Sequence, residues 1–304
     1  MDKKGIFLSV CIIVIFSAFL IFSLFLVQDL KAEKEDLGEA AYKKMKEADE
    51  LGDEGNVEEA VKKYKKAAEL YEKALKESPD NDTYQNNYHH CLGRAGYVQL
   101  QKAKELFEQE KFKEAADFYE SAIKAYEFGL EKIPEDSNYL QNLEYCLYYK
   151  GKAAFNHAVN NNGKAPEFSF QTIYNEELHS DSLKGKVTLL EFWTSWCPHC
   201  QKTFPILQNL YDEFSSDDFQ IAALSMDKTE RWGKSGSVEK AEEMAKEVPF
   251  LVGWGTKDIY YDYGVFSSVP TIVILDKNMN IFSVVPSDDH TEEKLSSLIQ
   301  QLIE

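Results

Sequence analysis

Residues 191–200 are Glu-Phe-Trp-Thr-Ser-Trp-Cys-Pro-His-Cys. They continue the apolar run from Val187 to Trp193, which has the length and composition of a buried strand. Pro198 is favoured as the first residue of a helix, because its missing N–H would have no partner there. The segment therefore predicts a strand that delivers two cysteines, Cys197 and Cys200, to the start of a helix.

The spacing of the two cysteines suits redox chemistry. The first turn of a helix stabilises a thiolate at Cys197 through its unpaired N–H groups and the positive end of its dipole. Cys200 lies one turn further on, where it can form a disulfide with Cys197 and resolve a mixed disulfide with a substrate. A positive charge on His199 would favour the thiolate further and make the disulfide more oxidising.

A Cys-x-x-Cys pair is also compatible with half of a zinc site or with a structural disulfide. A structural zinc ion needs four ligands, and the sequence has no second Cys-x-x-Cys pair and no His-x3-His pair. We therefore predict no metal site at Cys197 and Cys200. A purely structural disulfide stays an alternative.

Several segments after residue 164 share motifs with one family. They are Ala165-Pro166-Glu167-Phe168, Leu183-Lys184-Gly185-Lys186, the segment 191–197, Phe204-Pro205, Tyr263-Gly264-Val265 and Val269-Pro270-Thr271. They resemble the thioredoxin-fold domains of the TlpA/ResA type, the membrane-tethered thiol-disulfide oxidoreductases of bacteria. The resemblance implies protein thiols or disulfides as substrates, a membrane electron donor and no bound organic cofactor.

The resemblance also implies where a substrate binds. In the family the bond before the proline equivalent to Pro270 is cis and faces the disulfide, and the preceding backbone pairs with a bound substrate segment. We therefore expect a cis Val269-Pro270 bond and a substrate contact at Val269. The expected substrate-binding residues are Trp196, Pro198, His199, Val269 and Pro270.

Glu191 lies six residues before Cys197, where thioredoxins bury an acidic residue that moves a proton to or from the second cysteine. A carboxyl group buried beside a thiol has a raised pKa and can act as a general acid or base. The alternative is a side chain that faces solvent or makes a structural hydrogen bond. The TlpA/ResA family often has Asn here, and its reductive members lack the Pro198-His199 dipeptide, which resembles the DsbA oxidases.

The pattern of the C-terminal part indicates an α/β sheet with mixed strand directions. Strands are predicted at 187–193, 219–225, 271–275 and 281–285. Helices are predicted at 198–214, 238–248 and 291–303.

The apolar run from Ile6 to Val27 predicts a transmembrane helix, because it is long enough to cross a hydrocarbon core of about 30 Å. A cleaved signal peptide is the alternative, although no small-x-small site follows the run before Gln28. Lysines flank both ends, so charge alone does not fix the orientation. The family resemblance favours a single-pass anchor with the soluble domains outside the cytoplasm, in a compartment that suits a thiol enzyme.

Residues 32–160 repeat themselves at an offset of 55 residues. Small and aromatic residues recur at helical spacing between turn signals, which is typical of stacked antiparallel helix pairs. The pattern resembles the tetratricopeptide repeat (TPR), but its period is longer than the usual ~34 residues. The matching pairs include Tyr64 with Tyr119, Ala67 with Ala122, Tyr71 with Tyr126, Pro79 with Pro134, Cys91 with Cys146 and Gly96 with Gly151.

Such an array either binds a protein partner or serves as a spacer, and the sequence does not choose between the two. Tyrosines such as Tyr145, Tyr148 and Tyr149 could line a binding surface, although packing between helices is the commoner use of such residues. Cys91 and Cys146 occupy equivalent positions, too far apart in a stacked array for a bridge, so we predict buried free thiols.

The chain has a net charge of −18, which repels phosphate backbones and excludes nucleic acid as a partner. We predict a multidomain protein, with a transmembrane anchor in residues 1–30, an all-α TPR-like array in 31–160 and an α/β thioredoxin fold in 161–304. The predicted function is a membrane-anchored thiol-disulfide oxidoreductase that acts as a reductant, as in cytochrome c maturation. The alternatives are a DsbA-like disulfide donor, a Cu(I) metallochaperone with two thiolate ligands, and a TPR-type protein-binding scaffold.

Overall fold

The structure is a computed structural model that describes residues 36–214, 218–229, 237–264 and 268–303. The predicted membrane span, Ile6 to Val27, lies outside the described residues, and no helix within those ranges is long and apolar enough to cross a membrane. The chain divides between Ala95 and Gly96 into two compact units. The domain boundaries proposed near residues 30 and 160 stay predictions.

From residue 36 onward, the first unit contains two helices and the beginning of a third: α1 (Leu37–Asp53), α2 (Val57–Glu77) and α3 (Asp82–Glu108). The side chain of Asp36 starts α1 by accepting a hydrogen bond from the N–H of Gly38 (2.9 Å). Buried alanines let the helices approach closely, and Tyr64 and Tyr71 fill the space between them.

The helical part of the second unit repeats this arrangement with the end of α3, α4 (Phe112–Lys132) and α5 (Ser137–Asn160). Tyr119 and Tyr126 are buried here, as their equivalents Tyr64 and Tyr71 are in the first unit, which accounts for the 55-residue period. The prediction of an all-helical region is confirmed over the described residues. The TPR assignment stays a prediction.

The rest of the second unit contains a mixed sheet with two faces covered by helices. The described strands are β1 (Ser169–Thr172), β2 (Glu177–His179), β3 (Val187–Trp193), β4 (Phe219–Ser225), β5 (Leu251–Trp254), β6 (Thr271–Leu275) and β7 (Ile281–Pro286). Their order is β2-β1-β5-β4-β3-β6-β7, with parallel pairing at β3–β4 and β4–β5 and antiparallel pairing elsewhere. The helices are α6 (Pro198–Phe214), α7 (Val238–Lys246), α8 (Lys257–Asp262) and α9 (Glu292–Ile303).

This is the predicted α/β thioredoxin-like fold. Strands β3, β4 and β6 and helix α6 have the predicted bounds. Helix α7 ends two residues before its predicted end, at Lys246, and α9 starts one residue late, at Glu292. The sequence pattern missed β1, β2, β5 and α8, which have six residues or fewer.

One face of the sheet packs on α6, α7 and α9, and the other packs on α8 and α5. On the second face, Phe155 of α5 lies in a cluster with Phe168, Phe192 and Tyr263, and its ring centroid is 5.5 Å from that of Tyr263. Helix α5, the last helix of the repeat region, therefore supplies part of the core beneath the sheet.

Candidate active site

The two cysteines lie at the carboxyl end of the central strand. Strand β3 ends at Trp193 and α6 begins at Pro198, so Cys197 immediately precedes the helix. The N–H of Cys200 donates a hydrogen bond to the Cys197 sulfur (3.3 Å), and the Cys197 thiol donates to the carbonyl oxygen of Val269 (3.4 Å). Both cysteines are reduced in the structure.

Cys197 and Cys200 have different environments although they are neighbours. Cys197 is itself only 4% exposed but lies next to the exposed Pro198 and His199, whereas Cys200 is fully buried in the first turn of α6. Burial, the hydrogen bond with Cys197 and the nearby Glu191 raise the pKa of the Cys200 thiol above its usual range. Cys200 therefore stays protonated while an N–H group points at the sulfur of Cys197.

The Val269-Pro270 bond is cis, as predicted. Pro270 is buried and Val269 is half-buried, and the carbonyl group of Val269 faces Cys197. Trp196, the residue before Cys197, is half-buried. Trp196, Pro198 and His199 adjoin Cys197 in sequence, and the hydrogen bond from the Cys197 thiol places Val269, with Pro270 next to it, at the same site. The substrate-binding roles of these five residues stay predictions.

Glu191 lies at the centre of the sheet, directly opposite Ala223 of β4 and Ile272 of β6. Its side chain is fully buried, and neither carboxyl oxygen has a hydrogen-bond partner among the described residues. Burial raises the pKa of Glu191 to about 8. The alternative that Glu191 faces solvent or makes a structural hydrogen bond is wrong.

A second buried carboxyl group, which the sequence analysis missed, lies behind the cysteines. Asp227 accepts two hydrogen bonds from Ser195, one from the backbone N–H (2.8 Å) and one from the hydroxyl (2.9 Å). Asp227 follows β4 by two residues, and β4 runs parallel to β3, so the two strands end at the same edge of the sheet. An acidic residue just after an apolar strand was the sequence signal that could have revealed Asp227.

Among the described residues, no group of three or more His, Cys, Asp or Glu side chains is arranged to hold a metal ion. Cys91 and Cys146 are buried free cysteines, as predicted, and burial raises the pKa of each to about 12, which makes them poor nucleophiles.

A thioredoxin-like sheet whose central strand leads to a Cys-x-x-Cys helix, opposite a cis-proline loop, defines a thiol-disulfide oxidoreductase. Residues 162–284 match the AhpC/TSA family.

The chain is similar to several bacterial proteins, among them a thiol-disulfide oxidoreductase. The chain is 27% identical over 156 residues to the thiol-disulfide oxidoreductase ResA of Bacillus cereus. This alignment covers 51% of this chain and 85% of ResA. It is 32% identical over 114 residues to the thioredoxin-like protein YneN of Bacillus subtilis, covering 38% of this chain and 64% of YneN. The crystal structure of StoA from Bacillus subtilis is similar over 44% of this chain and 96% of StoA, with 27% identity and a TM-score of 0.36.

Proposed function

We propose that this thiol-disulfide oxidoreductase is anchored in a membrane and reduces disulfides of protein substrates outside the cytoplasm. The observation that carries the catalytic part is the position of Cys197, with the N–H of Cys200 directed at its sulfur and the cis-proline loop 3.4 Å away. The membrane anchor rests on the apolar run from Ile6 to Val27.

The reaction proceeds through a mixed disulfide. The Cys197 thiolate attacks one sulfur of the substrate disulfide, forms a new S–S bond and releases the other substrate sulfur as a thiolate. Cys200 then loses its proton and attacks the Cys197 sulfur, which releases the second substrate thiolate and closes the Cys197–Cys200 disulfide. Two electrons pass from the enzyme dithiol to the substrate, and the two substrate thiolates are free to take up protons.

The second step requires a base, because the environment of Cys200 keeps its thiol protonated. Glu191 is suited to this role, since its carboxylate has no competing hydrogen-bond partner among the described residues and lies close enough to Cys200 to raise the pKa of that thiol. A carboxyl group with a pKa of about 8 is partly ionised at neutral pH, so it can both take and return a proton there.

A trapping experiment tests this assignment. Cys200→Ser in the full chain, with Cys197 reduced, should accumulate a mixed disulfide between Cys197 and a disulfide-containing protein such as insulin, because the resolving thiol is gone. The adduct should be visible on a non-reducing gel and disappear with dithiothreitol. Cys197→Ser should form no such adduct, and an adduct through another cysteine would contradict the assignment.

The direction of electron flow is tested by the reduction potential of the Cys197/Cys200 pair in the full chain. A value near or below about −250 mV supports a reductase that receives electrons from a membrane donor, as in cytochrome c maturation. His199 favours the second candidate, a DsbA-like disulfide donor, because it is exposed in the first turn of α6 beside Cys197. A value near about −120 mV would support that candidate instead.

We also propose that the helical repeats bind a protein partner. A cavity of about 500 Å³ lies between α5 and α8, and such aromatic clefts commonly bind peptides. Its lining includes Tyr145, Tyr148, Tyr149, Tyr260 and Tyr261.

Two further candidate functions stay open to direct tests. If the protein is a scaffold, deleting residues 36–132 should abolish its cellular function while Cys197→Ala leaves that function intact. If it is a Cu(I) metallochaperone, the reduced protein should hold copper stoichiometrically against competing chelators, and Cys197→Ala should release the metal.

A further inference from the structure

The turn that carries Cys197 is held by the side chain of a residue distant in sequence. Every polar group of Ser195, two residues before Cys197, makes a hydrogen bond. Its N–H and hydroxyl donate to Asp227, at 2.8 and 2.9 Å, and its carbonyl oxygen accepts from the side-chain amide of Gln201 at 2.9 Å. The Ser195 hydroxyl also accepts the N–H of Ser237 at 3.1 Å.

Asp227 is itself fixed in place. Its carboxylate accepts a third hydrogen bond from the hydroxyl of Ser225 (2.7 Å), and its N–H lies 3.3 Å from that same hydroxyl. Asp227 is only 4% exposed, and Ser195 and Ser225 are fully buried. A buried carboxylate with three hydrogen bonds is a rigid acceptor, because releasing any donor would leave a buried polar group unpaired.

The next residues of the turn determine where the Cys197 sulfur lies. The N–H of Cys197 donates a hydrogen bond to the carbonyl oxygen of Thr194 (3.3 Å). This bond closes the turn around Ser195, so the position of Ser195 affects the position of the Cys197 thiol. In this conformation of the turn the sulfur lies 3.3 Å from the backbone nitrogen of Cys200. Movement at Ser195 would therefore weaken the hydrogen bond that stabilises the thiolate.

We infer that Asp227 is a positioning residue for the reacting thiol, which acts by fixing Ser195 and not by its charge. The inference deepens the proposed function, since it takes Cys197 as the attacking sulfur. Action through position and action through charge predict opposite effects of removing Asp227 on the Cys197 thiolate. Removing a nearby negative charge would favour the Cys197 thiolate, whereas releasing the turn disfavours it.

The test is the rate at which iodoacetamide alkylates Cys197 in the reduced full chain, followed by mass spectrometry of the peptide across pH 5–9. This rate reports the thiolate fraction and needs no physiological substrate. Asp227→Ala should lower the rate at neutral pH by about fivefold. Asp227→Asn, which keeps an oxygen for the N–H of Ser195, should restore most of it.

Two milder variants keep the test valid if Asp227→Ala does not fold. Ser195→Ala removes the hydroxyl bonds but keeps the backbone bond to Asp227, so we expect a smaller decrease. Ser225→Ala removes a hydrogen bond that fixes Asp227 but none to Ser195, so we expect a decrease in the alkylation rate that is smaller than that of Asp227→Ala. Asp276→Ala is a control elsewhere in the domain, because Asp276 fixes the turn before β7 through the N–H groups of Asn278 and Asn280 (2.8 Å each).

Faster alkylation in both Asp227 variants would show that the charge of Asp227 dominates, and would overturn the inference. Unchanged rates in Asp227→Ala and Ser195→Ala would overturn it as well. The proposed function fails separately: it is wrong if wild-type protein with normal Cys197 alkylation cannot exchange its dithiol with any protein disulfide, insulin being the first probe.

Discussion

The two cysteines of the active site are three residues apart, and their positions at the start of α6 suit them to different steps of the reaction. Cys197 lies before the first turn of α6, where it meets the N–H of Cys200 and the cis-proline loop. Cys200 lies inside that turn, is fully buried and retains its proton. The first sulfur is thus prepared to attack, and the second reacts only when its proton has an acceptor.

Glu191→Gln tests this acceptor through its effect on catalysis. The amide has almost the same shape but cannot take a proton, so resolution of the mixed disulfide should slow. We expect a decrease of about tenfold or more in single-turnover release of substrate, with little change in the first attack by Cys197. Rapid-quench analysis of insulin reduction separates the two steps. Equal slowing of both steps would contradict the role of Glu191 as the base for Cys200.

The raised pKa of Glu191 also predicts that the stability of the wild-type protein depends on pH. The folded state holds the Glu191 proton with a pKa of about 8, compared with 4.5 for an unperturbed carboxyl group. Between these values the folded state binds more protons than the unfolded state, so the free energy of unfolding decreases as the pH rises. The slope attributable to this group approaches about 1.4 kcal/mol per pH unit.

Urea unfolding of the reduced protein from pH 4 to pH 9 measures this effect. Wild type should lose stability relative to Glu191→Gln as the pH rises from about 4.5 to about 8, and the difference should level off above that range. Taking the difference between the two proteins removes the contributions of the other titrating groups. A pH-independent difference would show that the Glu191 carboxyl group is not perturbed.

At the scale of elements, helix α5 belongs to the packing of the sheet as well as to the repeat. Gly151 brings α5 against the backbone of α8, because a Cβ atom at this position would collide with the carbonyl oxygen of Tyr261. One turn further on, Phe155 reaches the cluster around Tyr263, whose hydroxyl donates to the carbonyl oxygen of Pro166 (2.8 Å). The close approach of α5 to α8 thus depends on a residue without a side chain.

Gly151→Ala should therefore destabilise the second unit, against the usual trend. In an exposed helix, replacing glycine by alanine stabilises by about 1 kcal/mol. Here the collision with Tyr261 should reverse the sign and cost about 1–3 kcal/mol. Thermal unfolding by circular dichroism measures the change. Ala154→Gly, on the exposed side of the same helix, should cost only the helix propensity of about 1 kcal/mol. A stabilised Gly151→Ala protein would contradict the close contact.

At the scale of the whole molecule, the second compact unit contains helices of the repeat region together with the redox fold. It begins at Gly96, and α5 covers part of one face of the sheet within it. A redox fragment cut at the predicted linker near residue 161 would expose the apolar residues that α5 covers. Such exposed apolar surface lowers stability and promotes association.

Two fragments should therefore differ in stability. Residues 137–304, which keep α5, should unfold at a temperature at least about 5 °C higher than residues 161–304, since burying Phe155 alone contributes about 2–3 kcal/mol. Differential scanning calorimetry at matched concentration compares them. A Phe155→Ala substitution in the longer fragment should account for much of the difference. Equal melting temperatures would mean that α5 adds nothing to the redox fold.

The long strands and helices of this molecule could be predicted from the sequence, and the short ones could not. Strands β3, β4 and β6 have continuous apolar runs, because each is buried on both faces of the sheet. Strand β1 has four residues and pairs with β5 about eighty residues later, through Gln171 and Trp254. Its formation depends on that distant pairing, which no local pattern records.

The sequence alone established the dithiol chemistry, because a Cys-x-x-Cys pair between a strand and a helix start carries its own local geometry. It also established the period of the repeat, since helix packing recurs in the residues that make it. The sequence left open whether Glu191 is buried or faces solvent, and the folded chain decided for burial. The attachment of Ser195 to Asp227 and the packing of α5 on the sheet emerged only from the folded chain. Each of these joins segments far apart in sequence, and such contacts exist only once the strands and helices have come together.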